Sequence, residues 1–530
     1  MGNHPSSNGF DDNESSLVYT RYYKKRQRRM ELENVCILET LQLVKYIEKE
    51  SDDERDCRRK KRKYASSISS SAFKKSFRMW VRDTNGELRP ASPQDTPWYN
   101  TYVSHPPLNR TSFHTKFRHR FRCSYATYKK HLLEVSDHDS FLVWSSGKRS
   151  RLGGRPPCPI ELLLLGTLRY LGRSFTMDDL EEHTGISSES HRIFLHAYLE
   201  FGSTFLFNKY VTLPSNDETI MDYSSEYALA GFNGCIGSTD ATHIGMLKCF
   251  YNLVQYHDSF KLPMPSRTYN LTATHRHRIL YTTKGHPGRW NDKTLVLFDQ
   301  LSKDLRDGKQ YSNLKFHLYA RNTDGTFRKD LYCGAWTIVD NGYLDWPTTV
   351  PPKKFFSNYP EMRFSRWLES MRKDVECTFG ILKKRFTILK FGIPLVGIKV
   401  CDMVWLTCCA LHNMILEDDG LDDRWDLQKN KNGDSDDSGD SDDSASDSNS
   451  NNNNANKEDI SINISSCSSC VQPVHLLSLE DFRERLIVHF DILWKHNKLV
   501  WPTRSEKNDY MPPIDDRQDR SRWREMNNNS

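Results

Sequence analysis

The chain has 530 residues, 37% of them hydrophobic, with 75 Lys and Arg against 69 Asp and Glu and a net charge of +6 at pH 7. That length accommodates two or three domains, or one large domain with unfolded attachments, and the low apolar share leaves substantial segments outside any core. The 13 cysteines form no regular framework, no N-terminal apolar run reads as a signal peptide, and no stretch approaches the roughly 20 apolar residues that span a bilayer, so reduced thiols inside a cell and no membrane role are expected.

Residues 1–115 are rich in Ser, Asn, Asp, Lys and Arg and read as a mostly disordered basic arm. One amphipathic helix is predicted over 35–47, flanked by basic clusters at 24–29 and 58–63. The second cluster suits nuclear import or a phosphate-binding arm, and a solvated charge run explains it equally well. From Phe113 aromatic residues (Phe117, Phe121, Tyr125, Tyr128) interleave with Arg118, Arg120 and Arg122. A helix is predicted over 160–171 with Leu164, Leu168 and Leu171 on one face. A second starts at Thr176, capped with Asp179 answering three residues later, and ends at Gly185; a third runs from Ser187 to Phe201 with Ile193, Phe194 and Tyr198 buried. Helix, glycine turn, helix is a helix-turn-helix outline, although its last helix offers Arg192 and His191 but no basic row, and core packing explains each residue there at least as well.

Between 231 and 340 the period changes to that of strands, at 235–240, 269–274, 278–283 and 332–339, with helices expected at 293–305, 363–384 and 401–416. A mixed sheet covered by helices follows. The stretch from 417 turns acidic and then Ser- and Asn-rich, which reads as a disordered linker. Order returns at Ser478, the expected cap of a helix that puts Phe482, Leu486, Phe490, Leu493 and Trp494 on one face and docks on the preceding domain. Basic residues thus crowd the first 130 positions and 363–390, which fits a polyanionic partner, while Asp dominates 417–447.

Three acids stand out. Asp240 follows a short strand, Asp340 ends another before the Asn341-Gly342 turn, and Glu376, 35 intervening residues later, sits at the rim of a helix whose buried stripe is Trp367, Met371, Val375, Phe379 and Leu382. An Asp after a strand is often a simple turn former. Two such carboxylates and a third on a later helix are nevertheless what a two-metal phosphoryl-transfer site requires, because hard divalent cations take oxygen ligands and clamp both the attacking and the leaving oxygen. Lys383, Lys384 and Arg385, just beyond Glu376, could hold a nucleic-acid backbone by charge or simply form a solvated helix end. His275, Arg276, His277 and Arg278 read as alternating on a strand, Cys467 and Cys470 lack a second half for a zinc site, and Cys408 and Cys409 read as core.

The segments Gly237-Ser-Thr-Asp240-Ala-Thr-His243-Ile, Ile338-Val-Asp340-Asn-Gly-Tyr343, Val375-Glu376-Cys-Thr-Phe379-Gly-Ile-Leu-Lys-Lys-Arg-Phe386 and Cys409-Ala-Leu-His-Asn-Met-Ile resemble the DDE endonuclease domain of the PIF/Harbinger transposase superfamily. The resemblance covers roughly 115–420 and the helix at 478–502. It implies an α/β fold: an RNase H-like mixed sheet flanked by helices over 226–420, preceded by the helix-turn-helix-like region at 116–225 and followed by an acidic linker at 421–475, a packing helix at 476–505 and a disordered tail at 506–530. It also implies a nuclear, metal-dependent DNA endonuclease or transposase with two Mg²⁺ or Mn²⁺ ions, Asp240 bridging them, Asp340 on one and Glu376 on the other. The family's further aspartate matches Asp292 less closely, since Asn291 and Lys293 replace the His and Ser that flank it in the family pattern. Expected partners are DNA and a separate Myb-like DNA-binding protein, with self-association left open. The alternative is a domesticated nuclear factor that keeps the fold, binds DNA or protein, and has lost the reaction.

Overall fold

The computed structural model describes residues 80–82, 86–90, 92–145, 158–259, 261–422 and 464–502. The expected helix at 35–47, both early basic clusters, the Asn-rich run and the tail at 506–530 lie outside the described residues. The chain divides into two compact units, Met1–Pro90 and Ala91–Ser530. In the first, Trp80–Arg82 pairs antiparallel with Leu88–Pro90; the second unit carries the rest of the description.

Order in that unit begins earlier than the composition suggests. Residues from 92 onward, assigned to the disordered arm, form short helical turns at Pro93–Asp95, Pro97–Tyr99 and Asn100–Ser104. Tyr102 is their anchor: its ring meets Phe113, Phe117 and Phe121 edge-on or tilted, and aromatic burial of this kind overrides a polar local composition. Helix α1 (Thr111–Phe121) and helix α2 (Tyr125–Asp137) follow, joined by Arg122 in a left-handed conformation.

Helix α3 (Ile160–Arg173) is nearly all buried. Helix α4 (Met177–Thr184) starts at the expected Thr176–Asp179 capping box and stops at Gly185, whose φ of 64° is the left-handed stop that glycine permits. Helix α5 (Ser188–Phe201) is capped by Ser187. Its buried stripe is His191, Phe194, Leu195, Tyr198 and Leu199, so Ile193 falls off the stripe and is exposed, contrary to expectation. Arg192 is tied to Glu189 and His191 is buried beside Thr184, which leaves this helix without the basic face that base reading needs.

After helix α6 (Asp217–Leu229) comes the main sheet. Strand β1 (Cys235–Gly245) pairs antiparallel with β2 (Ser266–Ala273), which pairs antiparallel with β3 (Ile279–Thr282) and with the two-residue β4 (His286–Pro287). On its other edge β1 pairs parallel with β7 (Trp336–Ile338), and β7 pairs parallel with β8 (Thr349–Val350). The order across the sheet is therefore β8-β7-β1-β2-β3. Several sequence expectations change here. The first strand runs five residues past Asp240, because β2 offers it a continuous ladder down to Ser266. The single strand expected at 332–339 is two, broken at Gly334, whose φ of 113° only glycine accepts readily. The helix expected at 293–305 is split into α7 (Asp292–Val296) and α8 (Gln300–Arg306), because the Asp299 carboxylate turns to cap the second through the Ser302 N–H at 2.7 Å.

The 275–278 stretch is a turn between β2 and β3 rather than a strand, and its side chains reach inward to carboxylates. His275 bonds Asp374 at 2.7 Å, Arg276 bonds Glu226 and Asp222, and Arg278 bonds Glu417 and Asp422. Charges packed this deeply persist because each is paired.

A second sheet, β9-β6-β5, joins β5 (Lys315–Arg321) antiparallel to β6 (Phe327–Cys333) and β6 parallel to β9 (Ile464–Pro473). Strand β9 falls in the stretch expected to be a disordered linker; the open edge of β6 supplies backbone partners that local composition does not reveal. Helix α9 (Tyr359–Arg385) and helix α11 (Leu479–Lys495) pack through Trp367, Phe490 and Trp494, with Ser478 capping α11 as predicted. Helix α10 (Ile398–Asp418) is long and apolar enough to cross a membrane by length and composition, which the sequence reading missed. It is mostly buried inside the protein, with Cys408 and Cys409 in the core as expected.

Candidate active site

Register places the first two acids together. Ser238 on β1 is paired with Ile338, the last residue of the parallel strand β7, and Asp240 and Asp340 each lie two residues further along. The two carboxylates are near enough for the charge of Asp340 to act on Asp240. Each accepts the N–H of the residue that follows, Ala241 and Asn341, both at 2.7 Å, which holds one oxygen of each carboxylate in place.

Asp292, the first residue of α7, completes this group. A methyl group added at Gly342 would lie 2.8 Å from its carboxylate, so the Asp340-Asn341-Gly342 turn is packed directly against it. Burial pushes Asp240 up to about 6 against its ordinary 3.8, the Ala241 N–H and Arg372 pull it down, and the charges of Asp292 and Asp340 push it further up. Asp292 is raised by burial and by Asp340, against the pull of Lys261. Burial is the larger cause of both shifts, and repulsion among the carboxylates adds to it.

Near the group runs a buried hydrogen-bonded chain. The buried Tyr343 hydroxyl donates to Asn270 Oδ1 at 2.5 Å, and Asn270 Nδ2 donates to Asp299 at 2.7 Å. Asn270 is the β2 partner of Ala241, so its side chain lies on the sheet face opposite to Asp240. Burial and the surrounding carboxylates hold the Tyr343 phenol well above its usual range, keeping it a neutral donor.

Glu376 approaches from α9, with its side chain 48% exposed at the rim of the buried stripe of Trp367, Met371, Val375 and Leu382. It does not touch the aspartates. Arg372, one turn earlier, spans the gap with 3.1 Å to Asp240 and 2.8 Å to Glu376. Among the described residues no group of three or more His, Cys, Asp and Glu side chains stands close enough to hold a metal as arranged. The donor chemistry nonetheless fits a hard cation, being all carboxylate and in excess of the local positive charge. The guanidinium of Arg372 takes the position a cation would compete for.

The three basic residues after Glu376 part ways. Lys383 turns inward to Thr242 and the carbonyl of His243 on β1, Arg385 is bonded to His412, and Lys384 is exposed. Sequence reasoning passed over Arg372, Asn270 and the role of Tyr343. The i, i+4 spacing of Arg372 and Glu376 was the available signal for the first; Asn270 stands among other polar residues of its strand and carried no comparable signal.

No curated protein and no solved structure is significantly similar to the chain. Residues 209–423, which carry all four of these carboxylates, match the family model described as plant transposon protein, and the chain is thereby related to transposon-derived proteins.

Proposed function

We propose that the chain is a divalent-metal-dependent DNA endonuclease of transposase type, of the PIF/Harbinger kind, with an RNase H-like catalytic core. The observation that carries this reading is the approach of Asp240, Asp292 and Asp340 to one another, close enough for each charge to act on its neighbour, from positions up to 100 residues apart inside the transposon-related stretch. Three antiparallel strands followed by two parallel ones, in the order β3-β2-β1-β7-β8, also suit an RNase H-like arrangement.

Asp240, Asp292, Asp340 and Glu376 would hold Mg²⁺ or Mn²⁺, which when bound supplies Lewis-acid activation of water and offsets charge building on the scissile phosphate. The chain's own contribution is placement. The Ala241 and Asn341 N–H groups fix the rotation of two carboxylates, the Tyr343–Asn270 hydrogen bond ties the turn after Asp340 to β2, and Lys383 ties α9 to β1 about two turns from Glu376. Arg372 is within reach of any phosphate oxygen seated between Asp240 and Glu376, where its two N–H edges would bind a developing negative charge. A nuclear location and a Myb-like partner that delivers the DNA belong to the same reading.

Incubation of supercoiled plasmid with Mn²⁺ or Mg²⁺ tests it. The intact chain is expected to nick the plasmid, and Asp240→Asn and Glu376→Gln to lower the rate by at least about 100-fold, as loss of a group central to the chemistry does; equal nicking by these variants would sink the assignment. A second reading, a DNA- or protein-binding factor that no longer cuts, is favoured by one observation: Arg372 closes the gap between Asp240 and Glu376. Binding of duplex without nicking, under both metals, is its signature.

A further inference from the structure

On the far side of Lys384 the C-terminal ends of α1, α3 and α9 converge. Between α1, the start of α2 and α9 lies an open cavity of about 710 Å³ lined by Arg118, His119, Arg122, Ser124, Lys384 and Arg385, among others. Some of these cations are already engaged. Arg118 is bonded to Asp419 at 2.6 Å, and Arg385 to the imidazole of His412 at 3.0 Å. The Nε of Arg122 donates to the Gly172 carbonyl at 3.2 Å, and among the described residues neither Arg122 nor Lys384 is paired with a carboxylate.

The surroundings add charge of the same sign. Arg169 bonds the Arg120 carbonyl, and Arg120 in turn bonds the Tyr102 hydroxyl. Burial and then the neighbouring Arg173 and Arg120 push the Arg169 guanidinium down to about 10, and Arg122 is lowered by burial and by Arg173. Three helix C-termini contribute roughly half a negative charge each, enough to offset one or two of these cations and no more. Positive charge around an open cavity in excess of Asp419, the carboxylate that pairs with Arg118, makes a site for an external anion.

Resting on the reading of the chain as a DNA enzyme, we propose that this cavity seats the phosphate backbone of duplex DNA, through Arg122 and Lys384, at a place separate from the carboxylates. Position favours a duplex that reaches both. Lys384 is eight residues beyond Glu376 on α9, a rise of about 12 Å along the helix, which matches three to four base-pair steps of about 3.4 Å. A strand with one phosphate at the carboxylates thus has another within reach of this seat. Phosphate contacts of this kind set register and orientation without reading sequence.

Lysine acetylation of the full chain with and without a 30-base-pair duplex, read by mass spectrometry, tests the seat. Saturating duplex is expected to slow modification of Lys384 at least about 5-fold while leaving Lys315, exposed on β5, unchanged. Arg122→Gln with Lys384→Gln is expected to lower the slope of log affinity against log salt by about 1 to 2, and Lys384→Gln alone, at an exposed position, by about 1. Unchanged Lys384 labelling in a chain that binds the duplex, an unchanged salt slope, no duplex binding at all, or protection by single-stranded RNA but not by the duplex would each overturn it. The two proposals fail separately: protected Lys384 in a chain that never nicks keeps the seat and removes the nuclease, whereas nicking with unprotected Lys384 does the reverse.

Discussion

Asp240 shows how burial and neighbouring carboxylates make a residue's charge costly. In the unfolded chain its carboxyl titrates near 3.8, and in the metal-free fold at about 6. Between those values the folded protein keeps a proton that the unfolded chain has released, so folding stability falls as pH rises through the window and stays lower above it. Removing the charge removes that cost. With EDTA present, Asp240→Asn is expected to be more stable than the parent at pH 8, by about 1–3 kcal/mol, with the gap closing below pH 4. Thermal melts at the two pH values decide this, and a lower melting temperature for the variant at pH 8 contradicts it. Asp240 and Asp340 were legible in sequence because each lies next to turn or strand signals, and Glu376 because it flanks the apolar stripe of a helix. Arg372 was not, because a surface-type i, i+4 pair looks the same whether or not its arginine also reaches Asp240 from another element.

At the scale of elements, β1 carries the site and its start is irregular. Its parallel pairing with β7 slips between Cys235 and Gly237, and a Cβ at Gly237 would come within 2.8 Å of the Ala273 carbonyl on β2. Because that neighbour is backbone, relief requires the strand to move. Gly237→Ala is expected to cost about 1–3 kcal/mol, seen as a lower urea midpoint, and to displace Asp240 from its level with Asp340. The α4–α5 hairpin has its own pH dependence. Burial pushes His191 down to about 4 from 6.5, and its ring lies 2.8 Å from the Thr184 hydroxyl. The neutral ring's contribution is intact above pH 6.5 and is lost as pH falls toward 4, since the unfolded chain takes up the proton first. His191→Gln is expected to narrow the loss of melting temperature between pH 7.5 and 5; an unchanged loss would show that this ring is not responsible. The capping box, the Gly185 stop and the Ser187 cap of this hairpin were readable from sequence, because caps are local chemistry. The position of Ile193 off the buried stripe and the split of α7 from α8 were not, since tertiary neighbours decide both.

For the whole molecule, the C-terminal helix α11 is part of the core that also holds α9 and the turn before β1, although an acidic stretch separates it in sequence. Phe490 stacks on Phe232 and meets Phe364 and Trp367 edge-on, joining α11 to α9 and to the turn before β1. Phe490→Ala is expected to cost about 3–5 kcal/mol, measured by chemical denaturation, because a void among large rings collapses poorly. A change under 1 kcal/mol would mean α11 is an accessory. That α11 docks was legible from its apolar face, as was an α/β sheet with flanking helices. Strand β9 and the ordered turns around Tyr102 were hidden, because each depends on a distant partner: the edge of β6 for one, the aromatic face of α1 for the other. The four carboxylates come from β1, α7, the end of β7 and α9, so any cation they hold would cross-link most of this unit. Titration calorimetry with Mn²⁺ measures that directly. The account predicts saturable binding that Asp240→Asn weakens at least about 10-fold; heats no greater than dilution, or equal binding by the variant, would contradict it.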